Sequence, residues 1–146
     1  MAAVDNDSMG ERADVEDFEL RLHSYPHRVW GTLFVIAADD GEVRWFAQSD
    51  EYRMSPTQNL ELNPDAPYEC RSVPESAVRA LRSFLQQVTL PALPSGRTGL
   101  GGAMHTLSAR DRLTTVRWDW WSALPDAWSE LLKVVNYMER PTDDFV

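Results

Sequence analysis

Four glycines crowd the stretch Ser95–Gly102, at Gly96, Gly99, Gly101 and Gly102, and such a stretch is the first place to look for phosphate chemistry. A phosphate-binding loop needs a lysine and a hydroxyl residue directly after its last glycine, at the mouth of a helix. Here Ala103 and Met104 follow, and they lead into a segment with strand character. The dinucleotide fingerprint fails too, because Gly99-Leu100-Gly101 has no glycine three positions on. The glycines read instead as a tight connection from helix to strand.

The three histidines are His23, His27 and His105. His23 and His27 share a face only in a helix, which Tyr25-Pro26 opposes. They therefore read as one exposed strand histidine and one loop histidine, with His105 on the outer face of a hairpin. No metal site follows from them. Cys70 is the single cysteine, so an internal disulfide and a multi-cysteine zinc site are both excluded. It stands beside Arg71 with no paired base nearby, and its expected role is that of a small buried hydrophobe. No catalytic residue, cofactor or metal is expected.

The chain has 146 residues, a length suited to one domain with a substantial core. Its net charge is −9, and that charge is uneven. Twelve acids face four arginines in residues 1–51, whereas eleven acids face ten bases in the rest. Such a field repels phosphates, which argues against nucleic acid and anionic membranes as partners. It attracts a basic protein. The opening residues lack the basic start and apolar stretch of a secretory signal, so a cytoplasmic location is expected.

The elements that must position these groups follow from periodicity. Residues 1–14 carry no apolar period and read as a flexible acidic tail ahead of a single domain over 15–146. Phe18, Leu20 and Leu22 alternate with Glu19, Arg21 and His23, as in a strand with one buried face. Val29–Ala38 is almost continuously apolar and predicts a strand buried on both faces. Asp39-Asp40-Gly41 is a turn, and Val43, Trp45 and Ala47 resume the alternation. Residues 48–71 show no sustained period and read as a long loop, either functional or a packed excursion that includes a short strand.

Ser72 and Glu75 fit a capping box, ahead of Ala77, Val78, Leu81, Leu85 and Val88 at helical spacing. Ala103–Ala109 and Arg112–Trp121 predict a hairpin, with Val116, Trp118 and Trp120 on one face. Trp121 lies on the other, as a candidate for exposure or for packing under the last helix. Pro125 opens that helix, with Leu124, Trp128, Leu131, Leu132, Val135 and Met138 as its apolar stripe. The order βββ-α-ββ-α predicts an α+β fold, a mainly antiparallel sheet of about five strands carrying two helices.

Three parts of the last third stand together: the glycine turn Gly99–Gly102, the strand end Trp120-Trp121, and Leu124-Pro125-Asp126-Ala127-Trp128-Ser129-Glu130-Leu131 opening the helix. Residues 99–140 thereby resemble a C-terminal pattern of small bacterial proteins of the immunity-protein type, found beside polymorphic or contact-dependent toxins. The family pattern carries an acid before its second turn glycine, where this chain has Gly101. The resemblance implies a non-catalytic protein that binds a cognate toxin and blocks its active site or its substrate.

Charge alone then nominates the partner-binding residues: Asp39, Asp40 and Glu42 at the turn, Asp50 and Glu51 beyond it, and Trp121 as an exposed aromatic. The expected partner is a protein, a toxin with a basic surface, met by a monomer or weak homodimer. An adaptor or regulatory interaction module of a bacterial pathway is the alternative, and an enzyme whose site forms only on folding is the third.

Overall fold

The computed structural model describes residues 15–26, 29–39, 41–53, 60–94 and 102–146. The acidic tail, His27, Asp40 and most of the glycine stretch lie outside them. Six strands form one antiparallel sheet: β1 (Phe18–Pro26), β2 (Thr32–Asp39), β3 (Glu42–Ser49), β4 (Glu69–Ser72), β5 (Ala103–Asp111) and β6 (Thr114–Trp121). Their spatial order is β4-β3-β2-β1-β5-β6. Helices α1 (Glu75–Gln87) and α2 (Leu132–Glu139) complete the α+β fold.

The alternation in β1 dictates which face the helices cover. Leu20 pairs with Ile36 of β2 and Ala109 of β5, and Leu22 with Phe34 and Leu107. These rows, with Val43, Trp45 and Trp120, meet Ala77, Val78 and Leu81 of α1 and Val134, Val135 and Met138 of α2 in one core. A smaller cluster occupies the opposite face, where Leu60 and Leu62 cover Leu33, Val35 and Phe46. β2 is therefore buried on both sides, as its composition predicts. It begins only at Thr32, however, and Val29 and Trp30 before it stand exposed at 60% and 61%.

The β2–β3 turn holds Gly41 at φ +82°, a conformation that suits glycine, with Asp39 and Glu42 as the last register pair. The expected long loop contains a strand that periodicity missed. All four residues of β4 are exposed, so its sequence shows no apolar alternation. Ser72 belongs to that strand rather than to a helix cap, and its hydroxyl donates to Glu42 Oε2 at 3.3 Å. Pro74 is the N-cap of α1. Cys70 is exposed on the same edge strand, not buried.

After Pro125 the chain forms a 3₁₀ segment, Asp126–Leu131, before α2 begins. Three residues per turn rotates the stripe to Trp128, Leu131 and Val134, and leaves Leu132 49% exposed where an α-helical stripe would bury it. Two buried indoles keep their N–H groups satisfied: Trp45 Nε1 donates to Met138 O and Trp128 Nε1 to Pro91 O, each at 2.7 Å. Phe145 closes the base of the core, edge-on to Phe84 and Tyr137.

Leu20 has no exposed surface and sits at the centre of this core, whereas Leu113 in the β5–β6 turn is fully exposed. Leu20→Ala is expected to cost about 2–5 kcal/mol in urea unfolding with an unchanged m-value. Leu113→Ala is expected to stay within about 0.5 kcal/mol of the parent.

Candidate partner-binding surface

The residues nominated by charge do not form one surface. Asp39 and Glu42 flank the β2–β3 turn and are exposed, with Glu42 also accepting from Arg44 Nη2 at 3.2 Å. Asp50 and Glu51 follow the far end of β3, about 24 Å away at the usual rise of a strand. Trp121 ends β6, on the same side as Glu51 but four strand spacings across the sheet, or about 19 Å. It is 37% exposed on the face opposite the helices, so it does not pack under the last helix.

Asp50 is not a surface residue. It is 1% exposed, and both carboxylate oxygens accept from His23 Nε2, at 3.0 and 2.9 Å. Arg53 Nη1 donates to Oδ1 at 2.5 Å. His23, expected outside, is likewise buried at 5%, and Arg53 at 6%. A 3₁₀ turn, Asp50–Tyr52, carries the acid over the end of β1, anchored by the Asp50 amide on Gly31 O at 2.9 Å. Gly31 makes this approach possible: a Cβ there would fall 2.2 Å from Ser24 O and 2.4 Å from Asp50 Oδ2. The arrangement is a buried hydrogen-bonded triad, with Asp50 paired to Arg53, that locks the β1–β2 connection to the end of β3. Its sequence trace was the outward apolar set Leu33, Val35 and Phe46, which announces that the second face is also covered.

A surface that sequence reading missed lies at the β3–β4 edge. There a cleft of about 570 Å³ opens where β3 runs past the short β4. Phe34, Trp45, Tyr52 and Tyr68 supply aromatic walls, and Glu69 and Glu139 supply two exposed carboxylates. No lysine or arginine lines it among the described residues. Phe34 stacks on Trp45 with ring centres 6.1 Å apart, and Tyr68 leans on Phe46 at 5.9 Å. Arg71 packs over the Trp45 ring, 4.7 Å from its centre, and donates to Pro141 O at 3.4 Å. Glu51 stands beside Tyr52 on the 3₁₀ turn. Aromatic faces flanked by carboxylates attract a cation, and an arginine or lysine side chain combines that charge with an apolar stem.

Arginines concentrate on the helix-free face of β1, β5 and β6. Arg21, Arg110 and Arg117 line a shallow cavity of about 340 Å³ with Glu19 and Glu61. Glu19 already pairs with Arg21 at 3.4 Å and with Arg110 at 2.9 Å, while Arg21 also donates to Leu60 O. The cavity is a network of compensated charge rather than an anion site. His105 lies on the helix-covered face, contrary to expectation, stacked on Trp120 at 5.3 Å with Ser24 Oγ 3.0 Å from Nδ1. Burial holds its pKa below the usual histidine range; the Ser122 backbone opposes this and His23 adds to it.

Among the described residues no group of three or more histidines, cysteines and acids could hold a metal ion. None of their helices is long and apolar enough to cross a membrane. No protein-family model, curated protein or solved structure matches this chain.

Two outcomes test this description. Asp50→Ala strands the Arg53 charge in the interior and is expected to lower unfolding free energy by about 3–5 kcal/mol. Glu51→Ala, one residue on, is expected to change it by less than about 0.5 kcal/mol in the same denaturant titration. For His105 the folded pKa is depressed, so the unfolded chain takes up its proton first. Its contribution is complete above the unfolded value of about 6.5 and is lost as pH falls below that. His105→Gln is therefore expected to flatten the decline in stability between about pH 7 and pH 5, read from urea midpoints at stepped pH.

Proposed function

We propose that this protein is a non-catalytic, immunity-type binding protein that neutralises a cognate bacterial toxin by occupying it. The observation that carries the reading is the cleft at the β3–β4 edge, with aromatic walls, two exposed carboxylates and no cation among its described lining residues. A basic side chain from the partner lies along Phe34 and Tyr68 with its charge between Glu69 and Glu139. Desolvated cation–aromatic contacts contribute up to about 2 kcal/mol each, enough to anchor a contact that long-range charge has steered into place.

The acidic balance of the chain and the resemblance of residues 99–140 to immunity proteins support the same reading. On this view the partner is a basic toxin, and inhibition follows from covering its active site or the surface that meets its substrate. The protein works in the cytoplasm of the cell it protects. The contact surface moves from Asp39, Asp40 and Glu42 to Glu69 and Glu139, because those two acids line apolar surface that can be buried with them.

The test is capture of the partner from the protein's own bacterium, followed by calorimetry at low and high salt and growth assays with the partner expressed. One-to-one binding of a growth-inhibiting protein is expected, weakened by salt, with growth restored by co-expression. Glu69→Gln combined with Glu139→Gln is expected to weaken binding at least about tenfold, while Asp39→Asn with Glu42→Gln leaves it near the parent value. A captured protein that is harmless to growth would overturn the immunity reading. Indifference to the Glu69 and Glu139 changes would overturn the cleft as its contact.

A further inference from the structure

An antiparallel sheet must do something with its two edges, since each carries unpaired N–H and C=O groups ready to add a strand. Here the edges differ. β4 is four residues long, with Glu69 and Arg71 in it and Pro67 and Pro74 close on either side. β6 is eight residues long and pairs with β5 without a bulge, from Asp111 with Thr114 to Met104 with Trp121. Its sequence, Thr-Thr-Val-Arg-Trp-Asp-Trp-Trp, is β-branched or aromatic apart from Arg117 and Asp119 and contains no proline or lysine. No described strand pairs with its outer side. Thr114–Arg117, Asp119 and Trp121 are exposed.

The charges on this edge are complementary to themselves. Arg117 and Asp119 stand two apart on the helix-free face, 52% and 44% exposed, with Arg117 Nε at 3.2 and 3.1 Å from the two Asp119 oxygens. A second β6 laid antiparallel about a two-fold axis perpendicular to the sheet must pair some residue with itself. With the axis at Trp118, Arg117 of each copy faces Asp119 of the other, Val116 faces Trp120, and Thr115 faces Trp121. A one-residue shift of the axis sets Arg117 against Arg117 or Asp119 against Asp119. Directly opposite charges stabilise a strand pair and like charges oppose it, so the sequence favours this register over its two neighbours.

We infer that β6 is the seam of a homodimer in which two copies join edge to edge about Trp118, extending the sheet across both chains. On the helix-covered face the same pairing lays Trp120 of the second copy against Val116, which is 45% exposed. Val116 borders an apolar cleft of about 250 Å³ shared with Trp118, Leu85 and Phe18. The occupant is thus a second copy of this chain. The seam lies at the opposite edge of the sheet from the aromatic cleft and does not depend on the function proposed for it.

The experiment is sedimentation equilibrium of the full chain and of three charge variants over micromolar to submillimolar concentration, with circular dichroism checking that each folds. The parent is expected to dimerise. Arg117→Asp and Asp119→Arg each create like-charge pairs across the seam and are expected to weaken dimerisation about tenfold. The double exchange, Arg117→Asp with Asp119→Arg, restores opposite pairs and with them the dimer. A parent that stays monomeric throughout, or a double variant no better than the singles, would overturn the inference. Amide exchange of the unmodified protein provides a readout independent of any variant. Outward-pointing β6 amides are expected to slow with rising concentration while β4 amides do not, and equal behaviour of the two edges would likewise overturn it.

Discussion

The indole of Trp45 has to leave water without losing its hydrogen bond, and the way it does so organises the helix side of the sheet. Its N–H reaches Met138 O, one of the last carbonyls of α2, which has no partner within the helix. One contact thus satisfies a buried donor from the strand and an orphan acceptor from the helix end. It also fixes where α2 stops relative to β3, and so places Glu139, the next residue, at the rim of the aromatic cleft. Trp128 makes a comparable tie with a loop carbonyl, donating to Pro91 O four residues beyond the end of α1. Each tryptophan thus joins two distant parts of the chain through its buried N–H.

Charge on the helix-free face follows a different logic. Asp50, His23 and Arg53 are withdrawn from water together, and such a set is tolerated because each group has a partner. The acid therefore contributes little to the field a partner meets. The arginines of β1, β5 and β6 are compensated in their turn by Glu19 and Asp119. By contrast, Glu69 and Glu139 line an aromatic cleft with no lysine or arginine among its described lining residues, and that contrast, more than the net charge of −9, singles out the β3–β4 edge.

The alternations in β1, β3 and β6 and the spacing in α1 were legible because burial on one face imposes a period on the sequence. β4 was illegible for the same reason: an exposed edge strand has no face to bury, so Glu69-Cys70-Arg71-Ser72 carries no period. Leu132 misled because the chain turns as a 3₁₀ segment before it turns as a helix, which shifts the stripe's phase. The candidate site was the least legible part. Summing acids along the chain united Asp39, Asp40, Glu42, Asp50 and Glu51, although β3 separates Asp39 and Glu42 from Asp50 and Glu51 and packing removes Asp50 altogether. Phe34, Tyr52, Tyr68, Glu69 and Glu139 meet only through the sheet and α2, and no local pattern joins them.

The two edges of the sheet differ in kind. At one edge the strand is short and the sheet ends in a concave surface of aromatic and acidic groups. At the other it is twice as long, and its charges are complementary to themselves. Joining two β6 edges would leave both clefts open, at the far ends of a twelve-stranded sheet and about 53 Å apart at ordinary strand spacing. A small partner cannot bridge that distance, so each copy would take its own. Binding would remain one partner per chain whether or not the seam forms, because pairing consumes backbone groups at β6 and none of the side chains that line the cleft.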